Sequence, residues 1–216
     1  MRILGIDPAL AGPTGFGVVD SDGRACRWVD SGVLPGKRSA GNGATATRLG
    51  EIHKQITQLL ETHAPDALAI EGIFSALNVK TALKLAEVRG VVLLAAAQRG
   101  IPVHSYSPRE VKLSVSGYGH ADKQQMQQMV RAQLRLSEAP QPADAADALA
   151  VALCHIHAAQ ADARFARATG AAGAMAATGA PRTAAQLHVI PLNSPIPARP
   201  RRAGSRMRSA RIQLHR

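Results

Sequence analysis

Aromatic side chains are scarce in this chain. One tryptophan, two tyrosines and three phenylalanines make up 3% of its 216 residues. Any core must therefore rest on Ala, Leu, Val and Ile, within an apolar content of 46%. Cysteine is scarcer still. Cys26 and Cys154 stand alone, in no CxxC pair and no zinc-ligand spacing, so neither a thiolate metal site nor a disulfide framework is expected. No uncharged apolar run approaches the roughly 18 residues of a membrane span. The first residues read directly as a strand and show no charged, apolar and small-residue leader pattern. A cytoplasmic location with no membrane partner is the expectation.

Acids are nearly missing from one end. Residues 161–216 hold ten arginines against the single acid Asp162, and so carry nine of the eleven net positive charges. Residues 1–160 are left near neutral at +2. An overall positive charge favours an anionic partner such as nucleic acid. Here the signal is concentrated in a segment that is also low in complexity (ATGAAGAMAATGAP) and then Pro- and Arg-rich. Such a composition buries too little apolar surface to fold alone. Residues 1–160 are accordingly expected to be one domain and 161–216 a disordered basic tail. That tail is either a dispensable extension or a clamp on DNA phosphates with a strong salt dependence.

Within the first 160 residues the periodicities are distinct. RILGID (2–7), residues 16–20 and residues 26–34 read as three strands. Gly12, Pro13, Gly15 and Gly17 read as turn residues between the first two, and Ser21, Asp22 and Gly23 as the turn between the second and third. Leu49, Ile52, Ile56, Leu59 and Leu60 mark an amphipathic helix over 44–63. ALAIE (67–71) is a short buried parallel strand, and residues 79–98 a second helix stopped by Gly100 and Pro102. A fifth strand at 102–106, a short helix opened by Pro108, and helices over 121–135 and 144–159 complete the pattern. Three hairpin-linked strands followed by alternating α and β predict an α/β domain with a mixed five-stranded sheet flanked by helices.

Four carboxylates fall at the ends of these elements. Asp7 closes the first strand and Glu71 the fourth, and parallel neighbours would bring those ends together. Asp144 and Asp147 are one turn apart at the start of the last helix and share a face. Asp7 as a loop acid, or Asp144 as a helix cap, would be ordinary. Glu71, after ALAI and before Gly72-Ile73, is not ordinary, because an unpaired charge there is costly to bury. A divalent ion is the simplest compensation. Phosphodiester hydrolysis uses such clusters: two ions roughly 3.5–4 Å apart hold the attacking and leaving oxygens, and Mg²⁺ prefers oxygen ligands. Mn²⁺ is a possible substitute.

ILGIDPA, AIEGIF and ADAADALAVALCHIH resemble the RuvC family of crossover junction endonucleases, as do ALKLAEVRG and VKLSVSGYGHADKQQM between them. The resemblance runs in order from residue 2 to about 157. It implies an RNase H-like fold, a homodimer, Mg²⁺ dependence and symmetric nicking of four-way (Holliday) DNA junctions. It also implies delivery of the junction by a branch-migration helicase complex of the RuvA and RuvB type. The family's four acids fall on Asp7, Glu71, Asp144 and Asp147. Phe74 matches an aromatic that stacks near the crossover, and Lys112 and Lys123 match basic residues near the scissile phosphate. The chain departs from the family pattern at Ala9, at Leu10-Ala11-Gly12 and at Gly72, which bears on how the DNA is positioned.

Lys80 and Lys84, i and i+4 on the second helix, are further candidates for phosphate contact, as is Arg109. Gly117 and Gly119 suggest a mobile loop between the lysine-bearing helices. His155 and His157 lie at least two turns past the acidic pair and read as packing or surface residues, and His104 as structural. The helix at 79–98, with its Ala and Leu stripe, is a candidate dimer face. Three other readings compete: an actin-like or sugar-kinase ATPase, an RNA-processing nuclease of the same fold, and a non-catalytic junction binder. The first needs a second lobe and a second Gly-rich phosphate motif, which this chain lacks. The last is disfavoured by the complete set of acids.

Overall fold

The computed structural model describes residues 1–8, 13–34, 44–72 and 78–169. Phe74, Ala9 to Gly12 and residues 170–216 lie outside that set. Five strands and five helices follow in the order β1 (Arg2–Asp7), β2 (Thr14–Ser21), β3 (Cys26–Leu34), α1 (Ala44–His63), β4 (Ala67–Glu71), α2 (Val79–Ala97), β5 (Val103–Tyr106), α3 (Pro108–Ser116), α4 (Lys123–Leu134) and α5 (Ala143–Ala168). The sheet order is β3-β2-β1-β4-β5. β1–β2 and β2–β3 are antiparallel, whereas β1–β4 and β4–β5 are parallel. This is the mixed five-stranded sheet that the sequence pattern predicts. None of the helices among the described residues is long and apolar enough to cross a membrane.

Strand alternation divides the core in two. Leu4, Ile6, Val18, Leu68 and Ile70 face α1 and α2, joined by Ile52, Ile56, Leu60, Val88 and Val92. Ile3, Val19, Ala67 and Ala69 face α3, α4 and α5, with Val111, Met126, Val130 and Leu149. With a period of two, Asp7 and Glu71 must point to the second face. That parity decides which helices line the site.

Two expectations are corrected here. Gly15 and Gly17 are not turn residues but members of β2, paired with Asp7 and Gly5 of β1. They form a shelf for α5. A Cβ on Gly15 would lie 2.0 Å from the Asp144 carbonyl oxygen, one on Gly5 2.2 Å from that of Ala148, and one on Gly17 2.7 Å from Leu149 Cγ. The last helix also runs to Ala168 and does not stop at 159. Its middle is wholly buried from Ala148 to Ile156, where every side chain packs regardless of period.

Gly5→Ala should therefore lower stability by about 1–3 kcal/mol through overpacking. Gly50→Ala, on α1 where a Cβ meets nothing within 4 Å, should raise it by about 0.5–1 kcal/mol. Urea unfolding of both variants checks the contrast, and equal effects would contradict the shelf.

Candidate active site

Asp7 stands at the C-terminal end of β1, beside the parallel strand β4 that ends in Glu71. The register pairs Ile6 with Ile70, so the two acids follow immediately on neighbouring strands. They share a side-chain hydrogen bond. Across from them, the first turns of α5 present Asp144 and Asp147. Gly15, the register partner of Asp7, is the residue on which the Asp144 backbone rests. That contact brings the start of α5 down to the strand end. Carboxylate oxygens of Asp7, Asp144 and Asp147 lie within 4.8 Å of one another. Glu71 joins the group through its bond to Asp7.

A cleft of about 250 Å³ opens beside these acids, lined by Asp7, Glu71, Lys112, Lys123, Met126 and Asp147, among others. Both lysines singled out from the sequence thus meet the acids. Lys123 Nζ lies 3.2 Å from Asp147 Oδ2. Its placement follows from the start of α4, where Asp122 caps the helix by accepting from the Gln125 N–H, with Gln125 bonding back in a capping box. Lys112 is set by α3, whose own capping box joins Ser107 and Glu110. Ser-Pro-Arg-Glu and Asp-Lys-Gln-Gln are the sequence signals for these caps. Pro108, Val111 and Met126 also wall the cleft, and no local sequence signal marks them.

The electrostatics are those of negative charge packed beyond what the protein compensates. Burial pushes the Glu71 carboxyl up to about 8, helped by the Asp7 charge, by the bond to Asp7 and by Asp147, while Lys112 opposes. Burial likewise raises Asp7 to about 6, with Asp147 and Asp144 adding to the rise. The bond to Glu71 and the Lys123 charge pull Asp7 back down. Burial and their mutual repulsion thus favour a proton held on Glu71 and shared with Asp7. Hard oxygen donors from three elements, with surplus negative charge, suit a divalent cation such as Mg²⁺ or Mn²⁺.

The remaining candidates lie apart from the cleft. Lys80 and Lys84 are exposed on α2, which packs on the other face of the sheet, and Lys84 borders a separate depression with Arg48 and Glu87. Arg109 is exposed and lies over Gly119, where a Cβ would meet its Cγ at 3.2 Å. The two glycines of the α3–α4 connection have local roles. Gly117 is the left-handed cap of α3 at φ 75°, and Ser116 Oγ bonds to Lys112 and Tyr118 backbone groups around it. His155 is buried rather than on the surface, accepts from or donates to the Tyr106 hydroxyl at 2.7 Å, and is held down to about 4 by burial and by His104. His157 bonds Ser114. None of these three histidines lines the acid cleft.

The family model for the crossover junction endodeoxyribonuclease RuvC matches residues 3–155. A RuvC from Chloroflexus aggregans is 47% identical over 165 residues, 76% of this chain and 98% of that protein. One from Roseiflexus sp. is 49% identical over 158 residues, 73% and 92% of the two chains. The solved Thermus thermophilus RuvC in complex with a Holliday junction substrate is 37% identical, with a TM-score of 0.68 over 74% of this chain and 95% of its own.

Two acids with raised pKa make a definite prediction. Unfolded carboxyls titrate near 4, so these two acids hold protons in the folded, cation-free protein that the unfolded chain has lost, while His155, lowered by burial, works the other way below its ordinary range near 6.5. Stability should therefore fall as pH rises from about 6.5 to 8, where Glu71 alone is still titrating. Glu71→Gln should remove most of the fall and stabilise the cation-free protein at pH 9 by on the order of 2 kcal/mol, with little change at pH 4. Urea midpoints in chelator at both pH values test this; a flat wild-type profile would refute it.

Proposed function

The chain belongs to the RuvC family of crossover junction endodeoxyribonucleases, and from that premise we propose how its own residues cut DNA. It is an endonuclease that resolves four-way junctions in recombination and repair. The observation that carries the assignment of chemistry is the acid cluster: three aspartates within 4.8 Å, with Glu71 bonded to one of them.

Asp7, Glu71, Asp144 and Asp147 are the catalytic carboxylates and would hold two Mg²⁺ ions, with Mn²⁺ as a substitute. Ions bound there supply a hydroxide near neutral pH and offset charge on the attacking and leaving oxygens. Asp7 and Glu71, side by side at the ends of the parallel strands β1 and β4, would form the inner wall of the ion site. Asp144 and Asp147 complete the oxygen shell, and one of them orients the attacking water. Lys123, paired with Asp147 in the free protein, exchanges that partner for the scissile phosphate. Lys112, which lines the same cleft, stabilises the charge that develops there. Phe74, in the segment after Glu71, stacks on bases at the crossover. Lys80, Lys84 and Arg109 contact phosphates further out and carry no sequence information.

The junction has two-fold symmetry and one site serves one strand, so the acting unit is a C2 homodimer. Its interface is α2. Val79, Leu83, Ala86, Gly90, Leu94 and Ala97 are all exposed and fall on one side of that helix. A branch-migration helicase complex of the RuvA and RuvB type delivers the junction. The nuclease domain is residues 1–160 and the basic tail follows it.

Asp7→Asn and Glu71→Gln should each cut a labelled synthetic four-way junction at least about 10³-fold more slowly in Mg²⁺ while still binding it, by analogy with loss of other charge-stabilising groups. Lys112→Ala should lose about 10²-fold. Linear duplex should stay uncut throughout. Cutting retained by Asp7→Asn would remove the acid assignment. Leu83→Arg should shift the protein to a monomer in sedimentation and convert paired nicks to single ones.

A further inference from the structure

We propose that Tyr106 and His155 are positioning residues for the acid cluster: the bond between them ties α5, which bears Asp144 and Asp147, to the strand beside Glu71. The proposal rests on the reading of the four acids as the ion site, given above. Neither residue lines the acid cleft, so an effect on cutting must pass through the acids.

Tyr106 is the last residue of β5 and the register partner of Glu71. Its carbonyl accepts from the Gly72 N–H at 2.8 Å, which pins the backbone just past Glu71. The next residue, Ser107, caps α3, the helix that carries Lys112. Alternation puts the Tyr106 ring on the same face of the sheet as Glu71. There its hydroxyl meets His155 Nδ1 at 2.7 Å. One residue thus joins the Glu71 strand end, the Lys112 helix and the helix of the two aspartates.

The other seat of α5 lies over β1 and β2, on Gly5, Gly15 and Gly17. Neither β4 nor β5 contains a glycine. A helix seated along one line can still tilt about it. The bond to Tyr106 lies off that line, on a strand separated from β1 by β4. It therefore fixes the tilt, and with it the separation of Asp144 and Asp147 from Glu71. The chemistry of the pair fits that use. His155 is only 7% exposed, and the His104 ring stacks on it with centroids 4.3 Å apart. The core that Tyr106 packs against is otherwise apolar, and a Phe and a Leu would fill this place with no polar atom to satisfy. A buried phenol and imidazole cost stability unless they bond. What the bond adds is a fixed length and direction, which apolar contact does not supply. Burial holds the imidazole below its ordinary range and the phenol above its own, so both stay neutral and bonded through neutral pH.

The test uses the full chain with Tyr106→Phe, His155→Leu, His155→Asn and the double variant Tyr106→Phe/His155→Leu. Asn keeps a polar group near the place of Nδ1, and Leu does not. Mn²⁺ affinity is read by calorimetry, junction Kd in chelator, and cutting in a single turnover at saturating Mg²⁺. Tyr106→Phe and His155→Leu should each weaken Mn²⁺ binding at least about fivefold and slow cutting by about 10- to 100-fold, the scale of a group misplaced by about 1 Å. Junction Kd should change less than about twofold, because the phosphate contacts are untouched. His155→Asn should recover most of both losses. The double variant should be no worse than His155→Leu, because one bond can be lost only once. A lower urea midpoint with Mn²⁺ affinity and cutting unchanged would overturn the proposal and leave a bond that serves stability alone. Losses that add in the double variant would overturn it too, as would His155→Asn impaired as far as His155→Leu. Should Tyr106→Phe fail to fold, the two His155 variants decide the matter by themselves. Asp7→Asn is run alongside. If it binds Mn²⁺ and cuts as the wild type does, the acid site is wrong and the positioning role goes with it. If it loses Mn²⁺ while Tyr106→Phe keeps it, only the positioning role is lost.

Discussion

Helix α5 lies against β1 and β2 at a separation that side chains would prevent. Gly5, Gly15 and Gly17 leave the backbone bare where Ala148, Asp144 and Leu149 come down on it. Gly5 and Gly17 are register partners, and Gly15 is paired with Asp7. The helix therefore crosses the two strands along a groove that glycine alone provides. Its alanines continue the same logic from the other side, with Ala145, Ala148 and Ala152 all buried. Close approach strengthens dispersion contacts along the whole length of the helix. It also has a chemical consequence. The acids of α5 are carried by backbone to the end of the strand that bears Asp7, and no flexible connection intervenes. Precision at the cluster comes from packing beneath it.

That packing works against the electrostatics. Four carboxylates brought to one strand end repel each other, and burial withdraws the water that would screen them. The protein answers in part with Lys123 and Lys112. It answers the rest by leaving Glu71 protonated and bonded to Asp7. A proton is a replaceable occupant. A divalent ion held there would relieve the same repulsion and add oxygen ligation. The fold tolerates this because a second apolar core, on the α1 and α2 face, lies on the other side of the sheet from the cluster.

Much of this was legible in the sequence. The mixed five-stranded sheet followed from three hairpin-linked strands and then alternation, and Asp7, Glu71, Asp144 and Asp147 from their places at element ends. Lys112 and Lys123 were legible only through resemblance, since nothing in their spacing says that α3 and α4 flank one cleft. Gly15 and Gly17 were misread because a glycine's local signal is the same in a turn and under a helix. The difference lies in a partner 130 residues away. The end of α5 was placed two turns early for a related reason: alanine-rich sequence is low in complexity and also the best helix former. His155 could be read only as packing or surface, because helical position alone does not reveal that α5 is buried on every side at that level. Lys80 and Lys84 follow Glu71 closely in sequence, but strand parity sends α2 to the opposite face of the sheet.

Parity has one further effect. Because Asp7 and Glu71 face α3, α4 and α5, that side of the sheet must be open enough at its end to admit a DNA strand. The α2 side is free of that demand. Its helix can present an uncharged stripe outward, from Val79 through Leu83 and Gly90 to Leu94, without exposing apolar surface to the phosphates in the cleft. A Cβ on Gly90 would meet nothing within 4 Å, so the glycine is not required by the chain's own packing. What it does offer is a flat place where a second helix can come close. The acid cluster and this stripe thus lie on opposite faces of one sheet, and the alternation of side chains along β1 and β4 is sufficient to separate them.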